Sequence, residues 1–111
     1  MEISTQNFKH CDLLKVNGRV DSFTAPKLTE AIEALNKDDR FKLVIDMTDL
    51  EYMSSAGFRA LLVGQRNCKR YNRGEVALAC VPARIMEAFE LTGFTPLFNI
   101  FDDVTSAVGH F

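Results

Sequence analysis

The stretch LVIDMTDLEYMSSAGFRALL, residues 43 to 62, changes its hydrophobic period halfway along. With Lys42 in front, KLVIDMT is a nearly unbroken apolar run rich in branched side chains, the pattern of a strand covered on both faces, and it reads as a central strand. After Met53 the apolar residues recur at helical spacing to about Tyr71, so a helix follows. Ser54, Ser55, Ala56 and Gly57 fill the junction. In open α/β sheets the carboxyl ends of strands and the amino ends of helices present ligand and partner sites. Free N–H groups and the helix dipole there favour negative charge, so a phosphate on such a serine would be stabilised. The plainer role for Ser54 or Ser55 is an N-cap, for which serine is among the preferred residues. Gly57 has a plain role too, letting the helix start lie close to a neighbouring strand.

Upstream, Glu2 to Asn7 and Asp12 to Val16 read as two strands, with Asn17-Gly18 closing the second in a turn and Arg19 to Asp21 a short continuation. Ser22 or Thr24 can then cap a first helix, Pro26 fits its first turn, and Leu28, Ile32 and Leu35 share one face. That helix stops in the charged cluster Lys37 to Arg40. Downstream, Asn72-Arg73-Gly74 ends the second helix with residues suited to a left-handed terminus. EVALACV is another buried strand, and Pro82 opens a third helix carrying Ile85, Met86 and Phe89 and reaching Phe94 across Thr92-Gly93. LFNIF is a short edge strand, and Asp102 or Asp103 starts a terminal helix ending near Val108. Strand and helix alternate with short connections, so the class is α/β with a largely parallel sheet and about four helices.

A chain of 111 residues, 47% hydrophobic and 25% charged, is one domain spanning 1–111, without room for a second catalytic domain. Its net charge of −2 gives no global basic field to hold nucleic acid or an anionic membrane. The amino-terminal residues lack the pattern of a signal peptide, and no apolar run is long enough to span a bilayer, so a cytoplasmic location is expected. Cys11, Cys68 and Cys80 are odd in number and widely spaced, and read as reduced thiols rather than a disulfide framework or zinc site.

The order of these features carries a resemblance. Buried strand, Asp46, Asp49-Leu50, Tyr52-Met53, Ser54-Ser55-Ala56-Gly57 and an amphipathic helix resemble the signature of the STAS domain family, specifically the bacterial anti-sigma factor antagonists. GRVDSFTAPKLTEAI, from Gly18, is similar to that family's Gly-x-hydrophobic-Asp and its Thr/Ala-led first helix. The likeness runs from residue 1 to about 108. It implies a STAS fold and a protein whose unmodified form binds an anti-sigma factor that is also a serine kinase, freeing a sigma factor. It further implies that phosphorylation of one serine at the start of the second helix breaks that complex and that a PP2C-type phosphatase reverses it. The family pattern puts the phosphoacceptor two positions before the glycine, at Ser55. Two residues depart from the pattern: Ser54 stands where an aspartate is usual, and Phe58 where a leucine is common.

Around Ser55 the expected partner-binding residues are Asp21, Ser54, Ser55, Ala56, Gly57, Phe58 and Arg59. Asp21 competes with simple turn chemistry, and Phe23 and Tyr52 are aromatic residues near the same end that read as exposed or core. Arg59, Arg66, Arg70 and Arg73 are spaced as one basic stripe, either an interface or a solvated outer face. No enzyme is expected: His10 and His110 lie near the chain ends, far in sequence from Ser55, and no phosphate loop, metal-ligand cluster or catalytic carboxylate pair stands out. Asp49 reads as a loop cap. No cofactor is expected, and neither nucleic acid nor membrane is an expected partner. The alternative within the family is a non-switching STAS scaffold or small-molecule-sensing domain that keeps Ser55 only as a cap.

Overall fold

In the computed structural model, which describes all of residues 1–111, Leu43 and Ile45 point to one side of β3 (Lys42–Asp46) and Val44 to the other. Both sides are covered, which is why the run has no polar alternation. β3 lies between β2 (Asp12–Val20) and β5 (Glu75–Ala79), both parallel to it. Beyond β2 is the antiparallel β1 (Glu2–Asn7), and beyond β5 is β6 (Ile100–Phe101). Helices α1 (Ala25–Lys37), α2 (Ser55–Lys69) and α3 (Ala83–Thr92) cover one face, sealing a core of twenty buried residues that includes Leu14, Leu28, Ile32, Leu61 and Phe89. On the other face α4 (Val104–Gly109) closes a smaller cluster of Cys11, Leu13, Val44, Ala79 and Ala107. The expected mixed, mainly parallel sheet with four helices is therefore the observed architecture, and Cys11 and Cys68 are buried free thiols with Cys80 partly exposed.

Two local expectations change. Asn17-Gly18 is not a turn that ends a strand: β2 runs unbroken through it. Gly18 has φ of +89°, and the register of β2 against its neighbour shifts between Gly18 and Arg19. Gly18 stands where β2 exchanges its parallel neighbour, β3 along its first half and β4 (Leu50–Met53) along its second, and the extra residue of the bulge there is Glu51 of β4. Strand β4 is the second change, since the residues before the serines carry no strand pattern of their own. β3 stops at Asp46 because its carboxylate accepts from the Thr48 N–H at 3.0 Å and hydroxyl at 2.6 Å, turning the chain locally. The Asp49 side chain does not cap the loop: its carboxylate pairs with Lys15 at 3.2 Å, and it is its carbonyl that accepts from the Gly18 N–H.

Helix ends follow the expected chemistry in part. Asp103 caps α4 by accepting from the Ser106 N–H at 2.7 Å. Thr24 holds the cap position of α1, but its hydroxyl turns back to donate to the Arg19 carbonyl. The second helix ends at Lys69, and it is Tyr71 and Asn72 that take the left-handed conformation. The edge strand in LFNIF shrinks to two residues pairing Leu78 and Ala79. That leaves the first half of the β5 edge unpaired, and buried Gln65 of α2 occupies it. Its amide donates to the Val76 and Leu97 carbonyls at 3.1 and 2.8 Å and accepts from the Val76 N–H at 2.6 Å, as a neighbouring strand would. Gln65→Leu, which leaves a buried donor and acceptor without partners, is expected to cost about 2 kcal/mol in urea unfolding.

Candidate functional site

The pairing of Val20 with Met53 makes β2 and β4 end side by side, so the segments that follow them leave the same end of the sheet together. The Ser54 N–H ties them by donating to the Val20 carbonyl at 2.8 Å. On the β2 side, the Asp21 carboxylate accepts from the Phe23 and Thr24 N–H groups at 2.9 and 3.0 Å, forming the turn into α1. The Thr24 N–H, more than the neighbouring donors, holds the Asp21 carboxyl below its ordinary range. A carboxyl held low contributes stability that is present above the ordinary carboxylate range and lost as pH falls through the lowered value. This turn drives Phe23 outward until it is 89% exposed. Nearby, the Arg19 guanidinium lies over the Tyr52 ring at 4.4 Å, which holds that aromatic at the surface.

On the β4 side the two serines divide. Ser54 is the N-cap by backbone alone: its carbonyl accepts from the Gly57 and Phe58 N–H groups at 3.0 and 3.2 Å. Its hydroxyl is buried without a partner and makes no capping bond. Ser55, the first residue of α2, is exposed. Only the second serine therefore offers its hydroxyl to another protein. Gly57 is buried, and a Cβ there would lie 2.6 Å from Met53 Cγ and 2.8 Å from Val20 Cγ1, so α2 starts nearer to β2 and β4 than a side chain allows without displacing a neighbour.

The expected partner contacts separate accordingly. Asp21, Ser55, Ala56 and Arg59 gather at this end, the last two lining a shallow groove of about 440 Å³ between α1 and α2 with Pro26 and Val63. Arg59 is exposed and makes no ion pair. Phe58 is not a surface contact. Its ring meets Phe89 edge-on at 4.9 Å in the core, since the close approach of Gly57 turns the next residue inward. The arginine stripe also breaks: Arg59 and Arg66 stay on α2, whereas Arg73 lies beyond the left-handed residues and stacks on Phe41 at 3.8 Å. The sequence did not mark Ser22, Pro26 and Val63 as site residues, because only the pairing of α1 with α2 makes them the walls of one groove. Both histidines sit by the opposite end of the sheet, His10 in the turn before β2 and His110 on Glu75 at 2.6 Å.

The STAS domain family model matches residues 2–107. The chain is 33% identical over 100 residues to an anti-sigma-B factor antagonist of Listeria monocytogenes, covering 90% of this chain and 86% of that one. In fold it is similar to an anti-sigma factor antagonist from Mycobacterium paratuberculosis, with a TM-score of 0.87, 23% identity and coverage of 98% and 92%. It is also similar to the Bacillus cell fate determinant SpoIIAA in its phosphorylated form, with a TM-score of 0.77, 13% identity and 98% coverage of both chains. The chain belongs to the STAS domain family. Within that family, sequence relatives such as the Listeria protein are bacterial anti-sigma-B factor antagonists. No helix is long and apolar enough to cross a membrane.

Proposed function

We propose that this STAS domain is an anti-sigma factor antagonist that works by partner switching. Its unphosphorylated form binds an anti-sigma factor serine kinase through Asp21, Ser55, Ala56 and Arg59, and so releases a sigma factor. The Ser54 backbone and Gly57 hold the start of α2 in place. Phosphorylation of Ser55 ends the complex, and a PP2C-type phosphatase restores it. The observation that carries this reading is the exposed hydroxyl of Ser55 at the first position of a fifteen-residue helix, beside a partly apolar groove and the outward Phe23. A phosphate there gains the helix dipole and, four residues on along the same face, the unpaired Arg59. The added charge of about −1.5 to −2 is thus tolerated in the free domain and costly in a complex that covers it.

The test is to isolate from the native host the proteins retained by Ser55→Ala, incubate them with the wild-type domain and ATP, and map phosphate by mass spectrometry. Phosphate is expected on Ser55 and missing from Ser55→Ala. Phosphate on Ser54, or on neither serine, would overturn the assignment.

A further inference from the structure

Three hollows at the end of the sheet opposite Ser55 meet at Arg73. Lys9, Arg40, Lys42 and Arg73 line the first, of about 310 Å³. Lys37 and Arg70 join Arg73 in the second, of about 370 Å³, and Lys69 joins Lys42 and Arg73 in the third, of about 600 Å³. Together they hold seven of the thirteen Lys and Arg side chains, against the four carboxylates of Asp12, Glu33, Asp39 and Glu75. The excess of three positive charges arises in a chain of net charge −2, so the remainder carries −5. Two of the carboxylates are already engaged, Asp12 by Arg40 at 2.6 Å and Glu75 by His110. Apart from Arg40, each of these Lys and Arg side chains is exposed and makes no ion pair.

Part of this gathering stabilises the fold. Lys37, Lys69 and Arg70 lie at the carboxyl ends of α1 and α2, where a cation complements the helix dipole. Arg73 donates to the Arg70 and Asn67 carbonyls and stacks on Phe41. Neither account covers Lys9 in the turn before β2 or Lys42 at the first residue of β3. Tyr71 is also unexplained by stability: it is 84% exposed in the left-handed conformation, which costs a non-glycine residue energy, with the Arg73 guanidinium 5.6 Å from its ring. An exposed aromatic among unpaired cations is the composition of an interface anchor.

We infer that this end of the sheet is a second docking surface, and that its occupant is an acidic segment of a protein partner. The shape and the charge pattern choose between anions. A bilayer would touch only the ridges between the hollows, and the uniform charge of a lipid surface or a phosphodiester chain would meet Asp39 and Glu33 directly. An acidic peptide places separate carboxylates into separate hollows and sets its other residues beside those two. The surface lies at the far end of the strands from Ser55, so it stays open whether or not the switch is occupied, and it does not rest on the reading of Ser55.

The test is a fluorescence anisotropy titration with a labelled octaglutamate peptide at low salt. Wild type is expected to bind it, and Lys42→Glu/Lys69→Glu to bind about tenfold more weakly or worse. Arg59→Glu/Arg66→Glu, the same charge change on the exposed face of α2, is expected to shift affinity less than about threefold, as is Ser55→Asp. A short oligothymidylate and phosphatidylserine vesicles are expected to bind more weakly than the peptide. Equal losses in the two double variants, no peptide binding by wild type, or tighter binding of the oligonucleotide or vesicles would each overturn the inference. Lys42→Gln/Lys69→Gln, expected to show an intermediate loss, keeps the test decisive if charge reversal unfolds the domain.

Discussion

Gly57→Val is expected to lower the stability of the domain by about 3 kcal/mol and its thermal midpoint by about 10 °C or more. The Cβ alone would stand 2.6 Å from Met53 Cγ and 2.8 Å from Val20 Cγ1, inside any normal contact. Met53 has torsions with which to move aside, but both neighbours are buried in the main core and Val20, branched at Cβ, has little rotamer freedom. Relief must therefore come from the backbone, with the first turn of α2 lifting away from β2 and β4. The two γ-methyls of valine enlarge that displacement, while Gly57→Ala, which recovers some chain entropy, is expected to cost only about 1 kcal/mol. Lifting the turn moves Ser55, Ala56 and Arg59 relative to Asp21, so capture of the anti-sigma partner is expected to fall with stability. Thermal unfolding by circular dichroism decides it: an unchanged midpoint would show that close approach is not why a glycine stands here.

The same glycine shows which parts of the molecule can be read from the sequence. The buried strands were legible because KLVIDMT and EVALACV leave no room for a solvent face, and the helices because their apolar spacing and caps agree. Strand β4 was not, since Leu50 to Met53 is four residues long with two exposed in the middle. It is defined by its pairing with β2 rather than by its own composition. Asn17-Gly18 carries a turn signal, and the positive φ of Gly18 is real, but it lies inside one continuous strand, opposite the bulge at Glu51 of β4. Of the site, the Ser54 to Gly57 junction was legible as a motif. That Ser54 turns inward while Ser55 faces out depends on the angle at which α2 leaves the sheet, which Gly57 sets. Phe58 illustrates the cost of missing that angle: beside an exposed serine it reads as a contact, whereas one helical step past a buried glycine it belongs to the core. The basic end was invisible because its cations come from six separate places in the chain, scattered from Lys9 to Arg73, and only the parallel topology assembles them.

Ser55→Asp is expected to separate binding from stability, which Gly57→Val cannot do. In the free domain the new carboxylate sits exposed at the first position of α2, near unpaired N–H groups and one turn from Arg59. Charge of this sign at a helix start is worth about 0.3 to 1 kcal/mol, and a pair four residues apart about 0.2 to 0.5 kcal/mol. The thermal midpoint is therefore expected to hold or to rise by a few degrees. In a complex that covers Ser55 the same carboxylate loses water and gains no partner built to receive it, a loss of several kcal/mol. Capture of the anti-sigma kinase is accordingly expected to weaken about a hundredfold or more, equivalent to about 2.7 kcal/mol. Ser55→Ala removes the acceptor without adding charge and is expected to bind as wild type does. Calorimetric titration of the three proteins against the captured kinase, with unfolding curves on the same samples, measures both quantities. Equal affinity of Ser55→Asp and wild type would remove Ser55 from the interface and leave it as the first residue of a helix. A hundredfold loss without loss of stability is what a charge switch requires, because the modified protein has to survive folded for a phosphatase to restore it.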